Sequence, residues 1–370
     1  MIVVMADDIS GAAELAGVAF ERGLSAEVQT RFDPTSIAEI VALDTDSRLA
    51  SPAVAARRVG EMARHVASAN PSLIYKKVDS VLRGAIVAEI DAILESTGQT
   101  QSLLVPANPS RGRLIKVGEY FVEGVPLAET GFANDPTHPA WTSNVLELLG
   151  PPAAGGTTSV RANVRIFDRG ITIPDVGSVE DLRKRVGEVN ENVLPAGGAE
   201  FFGAILDLRK AAQDAAAIAT ERGDDFDSAR GDGGTLVVCG SAAAWGNGRR
   251  EQGAASGLPS FPMPPDLAAA VDAGPNPEAC ASWAFDVWSA LRERGAATIA
   301  IGLDEAMDAS SSEKLLACLV DAVEIVLRRA SVNRLLLEGG ATARAVIDRM
   351  GWSAFQTIGA IEGLSWLRVG

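Results

Sequence analysis

The residues with chemical potential in this chain sit in short runs directly behind apolar stretches. In VVMADDISGAAELAG (3–17), Asp7 and Asp8 precede Ser10, Gly11 and an alanine-rich segment. Two carboxylates at such a junction can orient a hydroxyl or take its proton; equally, one can cap the next helix while the other meets solvent. Spacing alone leaves these readings even, and Ser10 is a further candidate for the cap. ALDTDSR (42–48) repeats the arrangement with Asp44, Asp46, Ser47 and Arg48, and YKKVDSVLRG (75–84) does so with Lys77, Asp79, Ser80 and Arg83. An arginine fork with hydroxyl and backbone donors at a helix start can hold a carboxylate ligand, and an Asp–Arg pair there can equally brace the turn. Lys76, Lys77, Arg83, Arg111, Arg113 and Lys116 concentrate positive charge in one window of a chain whose net charge is -15. In VVCGSAAAW (237–245) and LLLEGGATARA (335–345) the turn offers backbone instead: glycine lets N–H groups approach an anion closely, and the helix dipole adds attraction. Neither run matches G-x-G-x-x-G or G-x-x-x-x-G-K-[ST].

These groups need strand ends and helix starts to hold them, and the chain supplies both. Short β-branched runs at 2–5, 26–30, 39–44, 72–78 and 102–107 alternate with helical patterns at 10–22, 51–69 and 84–96. Such alternation predicts a doubly wound, mostly parallel sheet with crossover helices, which places ligand groups at the carboxyl ends of its strands. VRIFD (164–168) reads as a further strand and 178–189 as a helix. The charged, glycine-rich run ERGDDFDSARGDGG (221–234) reads as a linker. Beyond it, strands at 235–240, 297–302 and 334–340 alternate with helices at 277–293 and 311–330. The expected fold is therefore α/β with two domains, 1–228 and 229–370, each a mostly parallel sheet with flanking helices.

Length and composition agree. A chain of 370 residues is long enough for two cores, and 47% hydrophobic with 22% charged residues is ordinary for a folded α/β protein. The acidic balance argues against a nucleic-acid partner, and no run is long and apolar enough for a membrane span. The N-terminus lacks signal-peptide features and the three cysteines have no metal spacing, so a reduced, cytoplasmic setting is expected. His65 in a helix and His138 in a proline-rich loop form no ligand pair.

Taken together, ADDISGA (6–12), LDTDSR (43–48), YKKVDSVLRG (75–84), PANPSRGR (106–113), GEYFVEGVPLAET (118–130), NDPTHP (134–139), LPAGGAEF (194–201), VCGSAAAW (238–245) and LEGGATA (337–343) resemble the four-carbon acid sugar kinase family. The resemblance implies ATP-dependent phosphorylation of threonate, erythronate or a 3-oxo-tetronate, with Mg²⁺ as the usual companion of ATP. It implies an acid sugar on the N-terminal domain, ATP on the C-terminal domain and an active-site cleft between them. By motif, Asp8 is the catalytic carboxylate, with Asp7 as its alternative. Asp7, Ser47, Arg48, Lys77, Asp79, Arg83 and Arg113 hold the sugar acid, and Gly240, Ser241, Gly339, Gly340, Ala341 and Thr342 cradle ATP. The chain departs from the family pattern Asp-Ser-Thr-Leu-Arg-Gly-Asn by carrying Val81 and Ala85, which removes a hydroxyl and an amide from the substrate turn. Ala341 stands at an ordinarily acidic position, and a family lysine and glycine-rich segment have no counterpart before GLSWLRVG (363–370). Those departures keep open a sugar-acid-binding homologue with a degenerate ATP site. A metal-dependent lyase acting through Asp7 and Asp8 is the remaining class.

Overall fold

The computed structural model describes residues 1–135, 138–150, 160–162, 169–214, 233–240, 245, 258–270, 276–302, 309–361 and 364–369. It divides into two compact units, Met1–Asp224 with Ala354–Gly370, and Asp225–Ser353.

The first unit is built on β1 (Ile2–Ala6), β2 (Ala26–Gln29), β3 (Ile40–Asp44), β4 (Leu73–Lys77) and β5 (Gln101–Val105). A small sheet of β6 (Arg113–Lys116), β7 (Glu119–Val122) and β8 (Val125–Pro126) follows, then β9 (Val160–Ala162), β10 (Gly170–Ile173) and β11 (Val193–Gly197). The five expected strands of this half form as β1 to β5, because their branched apolar residues are buried on both faces, as in β3. The expected strand at 164–168 lies outside the described residues. Helices α1 (Ile9–Phe20), α2 (Pro52–Ser68) and α3 (Ile86–Thr97) connect the early strands, followed by α4 (Val145–Leu149), α5 (Val179–Val186) and α6 (Ala199–Asp214).

In the second unit four parallel strands, β12 (Gly234–Cys239), β13 (Ser260–Pro262), β14 (Ala296–Ala300) and β15 (Val332–Glu338), lie in the order β13-β14-β12-β15. Helices Pro277–Arg294 and Ala309–Arg329 pack on them through a core that includes Trp283, Val287, Leu319 and Val323.

The two last strands, β16 (Ala354–Ile361) and β17 (Leu364–Val369), do not continue that second sheet as the expected span 229–370 requires. β16 pairs antiparallel with β2, giving the first unit a ten-stranded sheet in the order β17-β16-β2-β3-β1-β4-β11-β5-β10-β9. The reason is local: β2 would otherwise present an open edge, and β16 satisfies its backbone groups while Phe355 packs away from water.

The order β2-β3-β1-β4 carries the functional consequence. The chain leaves β1 toward β2 through α1 and leaves β3 toward β4 through α2, so successive right-handed crossovers run in opposite directions and lie on opposite faces. Accordingly α1 packs with α6, and α2 packs with α3. At the carboxyl ends of β1, β3 and β4 the connections diverge, which is the position where open α/β sheets bind ligands.

Candidate active site

Three loops meet at that switch point. After β1 come Asp7 and Asp8. Asp8 is the N-cap of α1, its Oδ1 accepting from the Gly11 N–H at 2.7 Å. Ser10 is exposed within the helix and does not cap it, because an N-cap needs extended backbone, which Asp8 has at φ -143° and ψ 163°. The Asp8 carboxyl stays a quarter exposed, and its pKa is raised, chiefly by burial and then by Asp7, against the pull of Arg48, Gly11 and Lys77.

Asp7 has a different occupation. Its side chain is 2% exposed and takes two N–H groups from Arg48, one to each oxygen, the Nη2 contact at 2.8 Å. Burial pushes its pKa up, but hydrogen bonds from Arg48 and the charges of Lys76, Arg48 and Lys77 hold it below the ordinary value. Its main-chain oxygen accepts from the N–H groups of Ser47 and Arg48 at 2.9 and 3.0 Å, tying the β1 and β3 loops together. Ser47 is fully buried, with its hydroxyl 2.7 Å from that of Thr45. Asp44 fixes its own loop by accepting from Asp46 N–H at 2.8 Å, while Asp46, held at φ 48°, pairs with Arg58.

The β4 loop is organised by Asp79. One oxygen accepts from the backbone N–H groups of Val81 and Arg83 at 3.1 and 3.2 Å, and Arg83 adds a two-pronged contact at 3.0 and 2.9 Å. Arg48 Nη1 reaches the same carboxylate at 3.2 Å. Burial opposes ionisation there, yet these bonds and charges hold the Asp79 pKa far below its usual range. Arg83 also donates to Asp135 at 3.0 Å. The result is an alternating series Asp7–Arg48–Asp79–Arg83–Asp135. The turn needs left-handed backbone at Leu82 (φ 64°) and Gly84 (φ 96°); a Cβ on Gly84 would sit 3.4 Å from the Arg48 side chain and 3.5 Å from Asp7 Oδ2. From the small sheet, Arg113 donates to the Ser80 hydroxyl and the Tyr120 hydroxyl to the Ser80 carbonyl oxygen, pressing on the same turn.

The window of positive charge is therefore dispersed rather than pooled. Lys76 and Lys77 are consecutive on β4 and face opposite sides of the sheet. Lys76, 0% exposed, makes a 2.6 Å ion pair with Glu89 of α3 and is remote from solvent, so its charge in that window is spent inside the protein. Lys77 bonds Val78 O at 3.0 Å and lies 3.1 Å from Glu14 of α1, which Arg111 also approaches at 3.7 Å. Lys116 is exposed. The loop after Asn134 brings two groups that residue type alone did not single out: Asp135 on Arg83, and His138, whose Nε2 is 3.3 Å from Arg48 O. Their signal was the quoted run NDPTHP. His65 is exposed in the last turn of α2.

In the second unit β12 and β15 are neighbours, so their two turns abut. A Cβ on Gly240 would collide with the Thr342 hydroxyl, so any larger residue there must displace the Thr342 side chain. Gly339, at φ 94°, leads into the helix Gly340–Met350, whose N-terminus has no side-chain cap; Gly340 and Ala341 form its first turn and Thr342 is buried. Ser241 lies outside the described residues. Among the described residues no three His, Cys, Asp or Glu side chains are placed to hold a metal ion, and no helix is long and apolar enough to cross a membrane.

The model of the sugar-binding N-terminal domain family matches residues 2–229, more than half of the chain. The chain belongs to this family. Among curated relatives, a D-threonate kinase of Bordetella bronchiseptica is 32% identical over 211 residues, 53% of this chain and 52% of the relative. A D-erythronate kinase of Heliobacterium modesticaldum is 33% identical over 154 residues, 40% of this chain and 35% of the relative. A 3-oxo-tetronate kinase of Brucella melitensis is 30% identical over 172 residues, 44% and 38%. The chain thus spans about half the length, or less, of these curated relatives. By fold, a solved structure from Salmonella typhimurium LT2 superposes with a TM-score of 0.74 at 16% identity, covering 100% of this chain and 92% of that one. A Haemophilus influenzae protein of solved structure gives 0.66 at 18% identity over 99% and 93%. The fold of these two structures is therefore shared along the chain, with large, mostly parallel sheets flanked by helices.

Proposed function

We propose that this chain uses ATP to phosphorylate a hydroxyl of a four-carbon sugar acid of the threonate, erythronate or 3-oxo-tetronate type. The observation that carries the reading is Asp8, a carboxyl at the sheet's switch point that combines partial exposure with a raised pKa. A base of this kind accepts a proton more readily than an ordinary aspartate, and phosphoryl transfer asks of a protein mainly positioning and charge neutralisation. The curated relatives, all tetronate kinases, support the substrate class.

In this reading Asp8 orients the substrate hydroxyl and receives its proton as that oxygen bonds to the γ-phosphorus of ATP and the bond from this phosphorus to the bridging oxygen breaks, releasing ADP. Arg83 and Arg113, both half-buried, present N–H groups to the acid, while Asp7, Ser47, Arg48 and Asp79 fix the loops that hold them. Lys77 supplies positive charge beside Asp8. Gly240, Gly339, Gly340, Ala341 and Thr342 suit phosphate oxygens through backbone N–H groups at a helix start, with Ser241 a further candidate by sequence. Residues 1–228 thus serve the acid and the second unit the nucleotide. Mg²⁺, where it accompanies ATP, would supply neutralisation of phosphate charge; the described residues bring no three His, Cys, Asp or Glu side chains together to hold it.

The test is incubation of the purified protein with ATP, Mg²⁺ and a panel of tetronates while ADP release is followed. ADP formed only with an acid present is the expected result; bound acid without ADP would instead identify a binding protein.

A further inference from the structure

Phosphoryl transfer brings anionic oxygens beside the attacking hydroxyl, and they need positive charge at that point. Several cations at the strand ends are already committed: Arg48 to Asp7 and Asp79, Arg83 to Asp79 and Asp135, and Lys76 to Glu89. Lys77 and Arg111 stand apart from that series, because both are held by a single carboxylate, Glu14 of α1. Lys77 Nζ lies 3.1 Å from one Glu14 oxygen and Arg111 Nη1 lies 3.7 Å from the other. Two cations on one carboxylate leave positive charge to spare for an incoming anion.

Gly11 sets where this trio sits. A Cβ at Gly11 would stand 2.9 Å from Asp8 Oδ1 and 3.3 Å from Lys77 Cγ, so the Lys77 stem crosses α1 beside the carboxyl assigned to the hydroxyl. Asp8, Gly11 and Glu14 follow at intervals of three, which makes each the neighbour of the next along the helix surface. The loop that carries Arg111 is pinned: Glu200 accepts from the Ser110 N–H and hydroxyl, each at 3.0 Å, and Gly112 (φ 65°) turns the chain into β6. The two cations differ in freedom. The Lys77 side chain is 5% exposed and fixed, whereas that of Arg111 is 53% exposed and so far from Glu14 that exchange for a stronger acceptor costs little.

We propose that Lys77 and Arg111 form the binding site for the transferred phosphoryl group, and that Glu14 is their placeholder, a positioning residue that gathers both cations until phosphate oxygens replace it. The inference rests on the phosphorylation reading and adds the groups that receive the phosphate. As the substrate oxygen bonds to the γ-phosphorus, its proton passes to Asp8 and the bond to the bridging oxygen breaks. Arg111 donates N–H groups to the non-bridging oxygens and Lys77 supplies fixed charge beside them, and both keep their protons. A guanidinium fork matches the oxygens of a phosphate better than one carboxylate oxygen at 3.7 Å, which gives the exchange its direction.

The experiment measures binding by calorimetry without nucleotide, so that it stands apart from turnover. Threonate, erythronate, their monophosphate esters and inorganic phosphate are titrated into the wild type, Arg111→Gln and Glu14→Gln. Both side chains are partly exposed and glutamine nearly matches glutamate in shape, so both variants keep the fold, which melting temperatures check. Arg111→Gln should bind the esters and phosphate about tenfold more weakly and the unphosphorylated acids as the wild type does. Its kcat should fall by about tenfold or more at unchanged KM for the acid, the mark of a contact made in the transition state. Glu14→Gln removes the competing carboxylate and should bind the esters and phosphate about threefold or more tighter, a sign that loss of a structural contact would not give. Unchanged ester and phosphate binding in Arg111→Gln, or unchanged or weaker binding in Glu14→Gln, overturns the proposal. The two readings fail separately. No ADP from any acid with these binding shifts intact removes the kinase and keeps the phosphate site, whereas ADP at the wild-type rate from Arg111→Gln removes the site and keeps the kinase.

Discussion

The strand-end loops of the first unit and the glycine turns of the second offer ligands two opposite kinds of surface. In the first, charge balances charge: Asp7, Arg48, Asp79, Arg83 and Asp135 alternate in sign, and the partly exposed carboxyl of Asp8 stands at the edge of the series. In the second, Gly240 and Thr342 touch, and the helix start beside them offers its N–H groups with no side-chain cap. The difference teaches how each can act. Side chains set the protonation state and shape of the first, while the second depends on how closely the Gly240 backbone can approach the Thr342 side chain and on the uncapped helix start.

Substitutions that act on one region only sharpen this contrast. Asp8→Asn keeps an oxygen for the Gly11 N–H, so α1 remains capped and the melting temperature stays near wild type, while ADP release falls by about 10²- to 10⁴-fold. Wild-type turnover in that variant would remove Asp8 from the chemistry. Arg48→Met leaves Asp7 buried without its partner, and denaturant titration should show a loss of about 3–5 kcal/mol. In the second region Gly240→Ala forces a Cβ against Thr342, with about 1–3 kcal/mol lost and weaker nucleotide binding by calorimetry, while sugar-acid binding is unchanged. The smallest effect is in pH. The Asp7 and Asp79 pKa values are lowered by folding, so their stabilisation is present above the ordinary value of 3.8 and is lost as pH falls through their folded values. Asp79→Asn should therefore start less stable and show a shallower acid limb. Asp8 runs the other way: with its pKa raised, kcat/KM should fall as pH drops through a value above 3.8.

The parallel order of the first sheet and its loaded strand ends were legible because branched apolar runs end in Asp, Ser and Arg at each turn. Which aspartate does what was not. Asp7 and Asp8 differ by one position, and only the direction of the chain after β1 decides that one meets Arg48 in the interior while the other caps α1. The apparent basic cluster misled for a similar reason: Lys76 and Lys77 alternate across the sheet, and the glutamates that neutralise them, Glu89 and Glu14, come from helices on opposite faces. The short strands β6, β7 and β8, which bring Arg113 and Tyr120 onto Ser80, carry too few residues each for a periodic signal. Residues 354–369 fall in the expected span 229–370 yet join the first sheet, because a strand's own sequence does not say which open edge it will meet.

That last pairing makes the second unit an insertion in the chain of the first, entered after Asp224 and left at Ala354. A nascent chain leaving the ribosome has the strand-end loops of β1, β3 and β4 made long before residue 354 emerges, yet β2 remains unpaired on one side throughout the synthesis of the intervening unit. The β16–β17 hairpin then closes that edge and lodges the Ser365 hydroxyl on the Ala13 carbonyl oxygen of α1. That hairpin is thus bonded to the helix that Asp8 begins, and the first sheet gains its outer strands only after the second unit has been made.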